Sequence, residues 1–266
     1  MQKLSINLLS NNSLAGLKGL FRSAIKKFPY ILVIASPILS IYFKIILIPT
    51  KKGYIILSKG LKFYCPFEDN FNSVAAFKEI FQESRYDHMD LGIDDIVVDC
   101  GAHVGFYSIK AASQCHKVVA IEPCPHNASL FRKNSKKFNN IVIIEKALDE
   151  RVRRTRLFLG ASDAHSMLVP TDSSIEVDTI TIDQVLKDIK PQARGNICIK
   201  MNVEGMELAT LRGAKDTLKN INVKLAIAAH HSSEELDEVS KYLLDLGFEI
   251  SSRNQIIFAT RSSVTT

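Results

Sequence analysis

Short apolar runs alternate along the chain with stretches whose apolar positions recur every three or four residues. The runs at Ile96-Val-Val, Val118, Ile141 to Ile144, Val223 to Ala229 and Gln255-Ile-Ile-Phe258 read as strands. The intervening patterns read as helices, one reaching about Gln114 and another running from Pro125 to Phe138. Strands separated by helices predict an α/β protein built on a mainly parallel, Rossmann-like sheet with helices on both faces. In such sheets ligands collect at the carboxyl ends of the strands, around the point where strand order reverses.

Upstream the pattern changes character. Leu14, Leu17, Phe21, Ile25 and Phe28 share one side of a helical wheel and Lys18, Arg22 and Lys26 another, so a basic amphipathic helix is predicted. An apolar stretch, Ile31 to Ile48, follows, interrupted by Pro37 and Lys44. A bilayer span needs about 20 such residues. The stretch therefore reads as an interfacial or re-entrant anchor, a span with Lys44 snorkelling, or a helix packed on the domain. It lies too far from Met1, and lacks the cleavage-site chemistry, for a plain secretory signal. Composition shifts near Lys51-Lys-Gly53. Tyr54 to Leu57 and Leu61 to Tyr64 then bracket the turn signal Ser58-Lys-Gly60, and Ser73 to Gln82 places Val74, Phe77, Ile80 and Phe81 on one helical side. The expected organisation is a basic and apolar helical arm over 1–52, a hairpin and helix over 53–87, and a core domain over 88–260.

Composition supports a globular chain, since 266 residues with 46% hydrophobic content can bury one substantial core. The net charge of +6 belongs to the N-terminal part alone: ten Lys or Arg and no acid precede Glu68, and from Glu68 onward 24 basic residues face 28 acidic ones. A nucleic-acid partner is therefore not implied, whereas peripheral or anchored membrane contact through residues 1–52 is expected. Cys65, Cys100, Cys115, Cys124 and Cys198 make no C-x-x-C pair or metal spacing. Their odd number suits a reducing compartment, so the expected location is the cytoplasm, with the arm at the cytoplasmic face of a membrane. No metal requirement can be read from the residues.

The densest chemistry lies in Ile96-Val-Val-Asp-Cys-Gly-Ala-His-Val-Gly105. An apolar strand ends on a carboxylate and then on glycines that open a helix. Such a turn lets a backbone approach a ligand and points free N–H groups at it, although the same pattern also serves as an ordinary strand-to-helix connection. Lys117 to Glu122 is a second short strand ending on an acid, 23 residues after Asp99, close to the spacing at which a carboxylate grips ribose hydroxyls. Gly101 and Gly105 stand as G-x-x-x-G, and the three-glycine pyrophosphate fingerprint is missing, which disfavours a dinucleotide.

From Glu83 onward the chain resembles the FkbM-type family of S-adenosylmethionine-dependent methyltransferases. The resemblance rests on four blocks in the family's order: Val98-Asp-Cys-Gly-Ala-His-Val-Gly-Phe-Tyr-Ser108; Val119-Ala-Ile-Glu-Pro-Cys-Pro-His-Asn127; Thr179-Ile-Thr-Ile-Asp183; and Ile199-Lys-Met-Asn-Val-Glu-Gly-Met-Glu207 with Leu211-Arg-Gly-Ala214. It implies a class I methyltransferase fold, S-adenosyl-L-methionine as cofactor, and a sugar, glycan or related polar small molecule as methyl acceptor. It further implies that Asp99, Gly101, Ala102 and Gly105 line the methionine part and that Glu122, with Pro123 beside it, takes the ribose. His103 stands where the family more often has Asn, and Asp149 is a candidate for the adenine neighbourhood.

For the acceptor side, Lys200, Asn202 and Glu204 alternate, so an extended strand would turn all three the same way. The family usually has Asp at the position of Asn202, and an amide takes no proton. Base or orienting duty then falls to Glu204 or to a histidine, His230 after the strand at Val223 being one candidate. A second reading starts a helix at Glu204-Gly205, with Glu207 as a first-turn acid. The loop Ser162-Asp-Ala-His-Ser166 is expected over the rim.

Overall fold

The computed structural model describes residues 45–58, 60–66, 72–160, 165–189, 195–220, 222–229 and 232–261. It divides into two compact units, Met1–Lys62 and Phe63–Thr266. In the first, β1 (Ile46–Thr50) pairs antiparallel with β2 (Gly53–Ser58), and the Thr50 hydroxyl donates to the Gly53 carbonyl at 2.9 Å across the turn. This corrects the helical reading of the last part of the apolar stretch. Leu47 is buried while Ile46 and Ile48 are exposed, which is the two-residue alternation of a strand. β-Branched isoleucines favour extended backbone, and Pro49 is incompatible with a helix interior. The predicted basic amphipathic helix and the rest of the apolar stretch lie outside the described residues. Among the described residues no helix is long and apolar enough to cross a membrane.

β3 (Leu61–Cys65) crosses the division, and α1 (Asn72–Phe81) follows it. An aromatic cluster seats α1 on the larger unit: Phe63 lies 4.8 Å from Phe106 and Phe77 5.9 Å from Phe106, centroid to centroid. The main sheet has the order β12-β13-β11-β10-β4-β5-β6. β4 (Ile96–Cys100), β5 (Lys117–Ile121), β6 (Ile141–Ile144), β10 (Ile197–Met201) and β11 (Val223–Ile227) are parallel. β13 (Ile256–Thr260) and β12 (Glu249–Arg253) close one edge antiparallel. The chain runs from β4 to β5 and β6 on one side and later from β10 to β11 on the other. The reversal point therefore falls between β4 and β10.

Alternation along the central strands dresses both faces of this sheet. Ile96, Val98 and Cys100 join a core with residues of α4 (Ile182–Ile189), α5 (Glu207–Arg212), α6 (Lys215–Asn220) and α7 (Ser233–Asp245). Asp99 faces the other way, where Ser108 of α2 (Phe106–Ala112) reaches it; α3 (Pro125–Asn134) contributes Phe131 to the core. A small second sheet is built from β7 (Ala147–Leu148), β8 (Arg154–Phe158) and β9 (Ser174–Ile180) around Cys124, Ala147, Leu157 and Val177. Its pattern was not legible beforehand, because β7 is only two residues long and polar residues dominate the exposed faces of β8 and β9.

Candidate active site

Asp99 and Lys200 face each other across β4 and β10, one residue before each strand ends. The Lys200 ammonium lies 3.0 Å from the Asp99 carboxylate and donates to the Gly101 carbonyl at 3.0 Å, and the Ser108 hydroxyl donates to Asp99 at 2.6 Å. Both charges are buried, Asp99 completely and Lys200 to within 4%. Burial pulls the Lys200 pKa down, but the Asp99 carboxylate and Tyr86 more than offset it, so the ammonium is held above its ordinary value. Lys200 thus keeps its proton and clamps the glycine turn.

That turn is tight for a steric reason. Gly101 has φ +76°, and a Cβ there would stand 1.9 Å from the Asn202 carbonyl oxygen. Asn202 in turn donates its backbone N–H to Cys100 at 3.0 Å, which locks the end of β10 against the end of β4. Gly105, φ +93°, precedes α2, and its missing Cβ makes room for the buried Phe131 ring at 2.1 Å. Gly105 therefore serves helix packing.

Glu122, one residue past β5, is 5% exposed. Its carboxylate accepts the backbone N–H of His103 at 2.8 Å, that of Cys124 at 3.1 Å and the Asn127 amide at 3.4 Å. Burial pushes the Glu122 carboxyl up, opposed by His103 and by these donors. One acid thereby joins the glycine turn to the start of α3.

A cleft of about 320 Å³ opens over these ends. Gly101, Ala102, His103, Glu122, Pro123, Lys200, Asn202 and Glu204 all line it, so most of the predicted site is brought together. Asp99 lies beneath the floor and Gly105 behind it, and neither is among the lining residues. Asp149 is also absent from the lining. It is buried and occupied by the Glu150 N–H at 2.7 Å and the Arg153 guanidinium at 2.6 Å, while Lys146, Ala147, Leu148 and Leu157 line the cleft. His230 lies outside the described residues.

The idea of one extended face for Lys200, Asn202 and Glu204 does not hold. β10 stops at Met201, Glu204 takes a left-handed backbone at φ +56°, and α5 begins only at Glu207. Glu204 belongs to a turn, which also displaces the reading that it starts the helix. Glu207 is a first-turn acid, fully buried, and accepts the Val203 N–H at 2.8 Å. Burial, with the Glu235 side chain adding, pushes its carboxyl up to about 9.

The folded chain consequently retains a proton that an unfolded one releases near 4.5. Linkage then makes stability fall as pH rises from about 4.5 to about 9. Glu207→Gln is expected to flatten that slope, as read from urea midpoints across the range; an unchanged slope contradicts it.

Sequence reasoning missed Tyr86 and Tyr107, which line the cleft with their rings 5.7 and 6.0 Å from the Lys200 ammonium. Burial raises both phenols, the Tyr107 phenol well above its ordinary value. The α1 wall, with Ala75, Ala76 and Glu79, was missed as well, since small residues on a helix carry no site signal. Among the described residues, no group of three or more His, Cys, Asp or Glu is placed to hold a metal ion.

A parallel sheet with its cleft at the reversal point, a glycine turn and a strand-end acid define a class I methyltransferase fold. The family model described as Methyltransferase FkbM domain matches residues 99–250, and the chain belongs to that methyltransferase family. The crystal structure of methyltransferase FkbM from Methylobacillus flagellatus KT is similar in fold, with a TM-score of 0.51 and 22% identity over 73% of this chain. The chain spans only 53% of that protein. Two curated relatives are methyltransferase sdnD of Sordaria araneosa and hexuronic acid methyltransferase AglP of Haloferax volcanii. The first is 21% identical, covering 65% of this chain and 81% of the relative; the second is 26% identical, covering 61% and 67%.

Proposed function

We propose that the chain transfers a methyl group from S-adenosyl-L-methionine to a hydroxyl of a sugar, glycan or related polar small molecule. The carrying observation is that the glycine turn, the Glu122 carboxylate and the Asn202–Glu204 turn all line one cleft. The residues present fit the cofactor. The Asn127 carbonyl oxygen and the Tyr107 hydroxyl are buried at the cleft without a hydrogen-bond partner among the described residues, and such atoms call for a polar ligand. Glu122, whose Oε2 accepts only the His103 N–H and keeps a lone pair, would accept from a ribose hydroxyl. Ala147, Leu148 and Leu157 would flank the base, and Gly101 to His103 the methionine part. When bound, the cofactor supplies an electrophilic methyl on a sulfonium.

The residues themselves hold an acceptor in line and exclude water, and positioning of this kind can supply roughly 7–11 kcal/mol of a barrier. The kinship with a hexuronic acid methyltransferase supports a sugar-type acceptor. Calorimetry with S-adenosylhomocysteine, followed by its release during turnover on hexoses and hexuronic acids, tests the reading; no affinity for the compound sinks it. A second reading, a cofactor-binding protein without turnover, is favoured by the amide at Asn202. Turnover on any of these sugars removes it.

Residues 1–52 are proposed to localise the enzyme through membrane contact while 88–260 carries the reaction. Deleting 1–52 is expected to leave S-adenosylhomocysteine affinity within about twofold, well under the tenfold that 1.4 kcal/mol represents, and to move the protein from the membrane to the soluble fraction. A native chain already fully soluble at low salt contradicts the localising role.

A further inference from the structure

Methylating a hydroxyl requires that its proton be taken, and the cleft holds few groups able to do so. Lys200 is protonated and committed to Asp99 and Gly101. Asn202 takes no proton. Glu122 already accepts from three donors at the ribose end, and Glu79 is ion-paired to Arg85 at 2.8 Å. The phenols of Tyr86 and Tyr107 are raised by burial and stay protonated. His103 sits within the glycine turn, φ +53°, its backbone N–H bound to Glu122, in the turn assigned above to the methionine part of the cofactor. Glu204 and His165 also line the cleft.

His165 reaches the cleft because of how its segment is anchored between β8 and β9. Ser166 exchanges backbone hydrogen bonds with Phe158, its N–H donating at 3.1 Å and its carbonyl accepting at 2.9 Å, so the strand-like alternation turns His165 and Met167 to one side. Both line the cleft. The Ser166 hydroxyl donates to the Glu204 carbonyl at 3.1 Å and accepts the Leu168 N–H at 3.1 Å. His165 is therefore carried on a strap fastened to the turn that follows β10, beside the rim where an acceptor would approach.

We propose that His165 is the general base, an inference resting on the methyl-transfer reading above. Its imidazole takes the acceptor's hydroxyl proton as the new oxygen–carbon bond forms and the methyl–sulfur bond breaks. The products are a methyl ether, a thioether and an imidazolium, with charge conserved because the cofactor began as a cation. Imidazole suits this duty near neutral pH, whereas a carboxylate is a weaker base toward a hydroxyl and Glu204 is left to orient the acceptor by accepting a hydrogen bond. Ser166 is a positioning residue that acts through the strap.

The test compares the native chain with His165→Gln and Glu204→Gln. S-Adenosylhomocysteine affinity is read by calorimetry, turnover on a panel of hexoses and hexuronic acids by product release against pH, and the His165 ring by NMR in the homocysteine-bound protein. His165→Gln is expected to bind the product normally, to lose about 100-fold or more in kcat, and to lose the acid limb of the pH profile that Glu204→Gln retains. A His165→Gln kcat close to native, or an unchanged acid limb, overturns the proposal. Should the panel be inert with the native chain, the ring decides alone: uptake of a proton between pH 5 and 8 supports the role, and a ring that stays neutral or stays charged throughout overturns it. Absence of product binding by the native chain is a separate result, one that sinks the cofactor reading instead.

Discussion

Replacing Lys200 with methionine is expected to lower the thermal midpoint by roughly 6–20 °C, more than removing any surface charge. The substitution removes the buried partner of the Asp99 carboxylate and leaves Ser108 as its side-chain hydrogen-bond donor among the described residues, and breaking a buried pair in this way costs about 3–5 kcal/mol. For a domain of this size each kcal/mol moves the midpoint by about 2–4 °C. The control is the double substitution Asp99→Leu with Lys200→Met, since exchanging both members for apolar groups of similar volume is often neutral. Recovery of much of the loss identifies an unpaired charge as the cause. A double variant as unstable as the single one points to shape, and an unaffected Lys200→Met shows the pair to be dispensable.

Gly101→Ala is the second large effect. The left-handed backbone alone costs a non-glycine residue roughly 1–2 kcal/mol. The added carbon would also sit 1.9 Å from the Asn202 carbonyl, which is backbone held by its own N–H bond to Cys100 and has nowhere to go. The rim must part for the methyl to fit, so S-adenosylhomocysteine affinity is expected to fall by more than 100-fold even in the fraction that folds. Near-native affinity would show that β4 and β10 separate easily at their ends. Gly105→Ala makes a useful comparison, because its obstacle is the Phe131 ring and its damage should appear in stability before affinity.

The parallel sheet was legible because β4, β5 and β11 are apolar and buried on both faces while the helices between them are not. The cleft was legible where chemistry and backbone coincide, as at Gly101 and Glu122. It was not legible where a side chain's use depends on a partner distant in the chain. Asp99 looks like a ligand-facing acid until Lys200, 101 positions later, is set against it. Asp149 looks equally available until Arg153 closes on it. His165 was legible only as part of a loop expected over the rim, because its place in the cleft depends on the Ser166 contact with a turn 38 residues away. The strand at Ile46–Thr50 was hidden by its own apolarity, for isoleucine and leucine serve a buried helix as readily as a hairpin.

The neighbour relation between β4 and β10 also bears on how the chain is made. Asp95 and Asn196, hydrogen-bonded at the base of these strands, are 101 residues apart. At roughly 5–20 residues per second, a ribosome needs on the order of 5–20 s to deliver the second after the first. Throughout that interval β4 can be flanked by β5 alone, and its other margin, rich in valine and isoleucine, stays open to any strand that drifts past. Yield on overexpression is the quantity in which that exposure is expected to be felt.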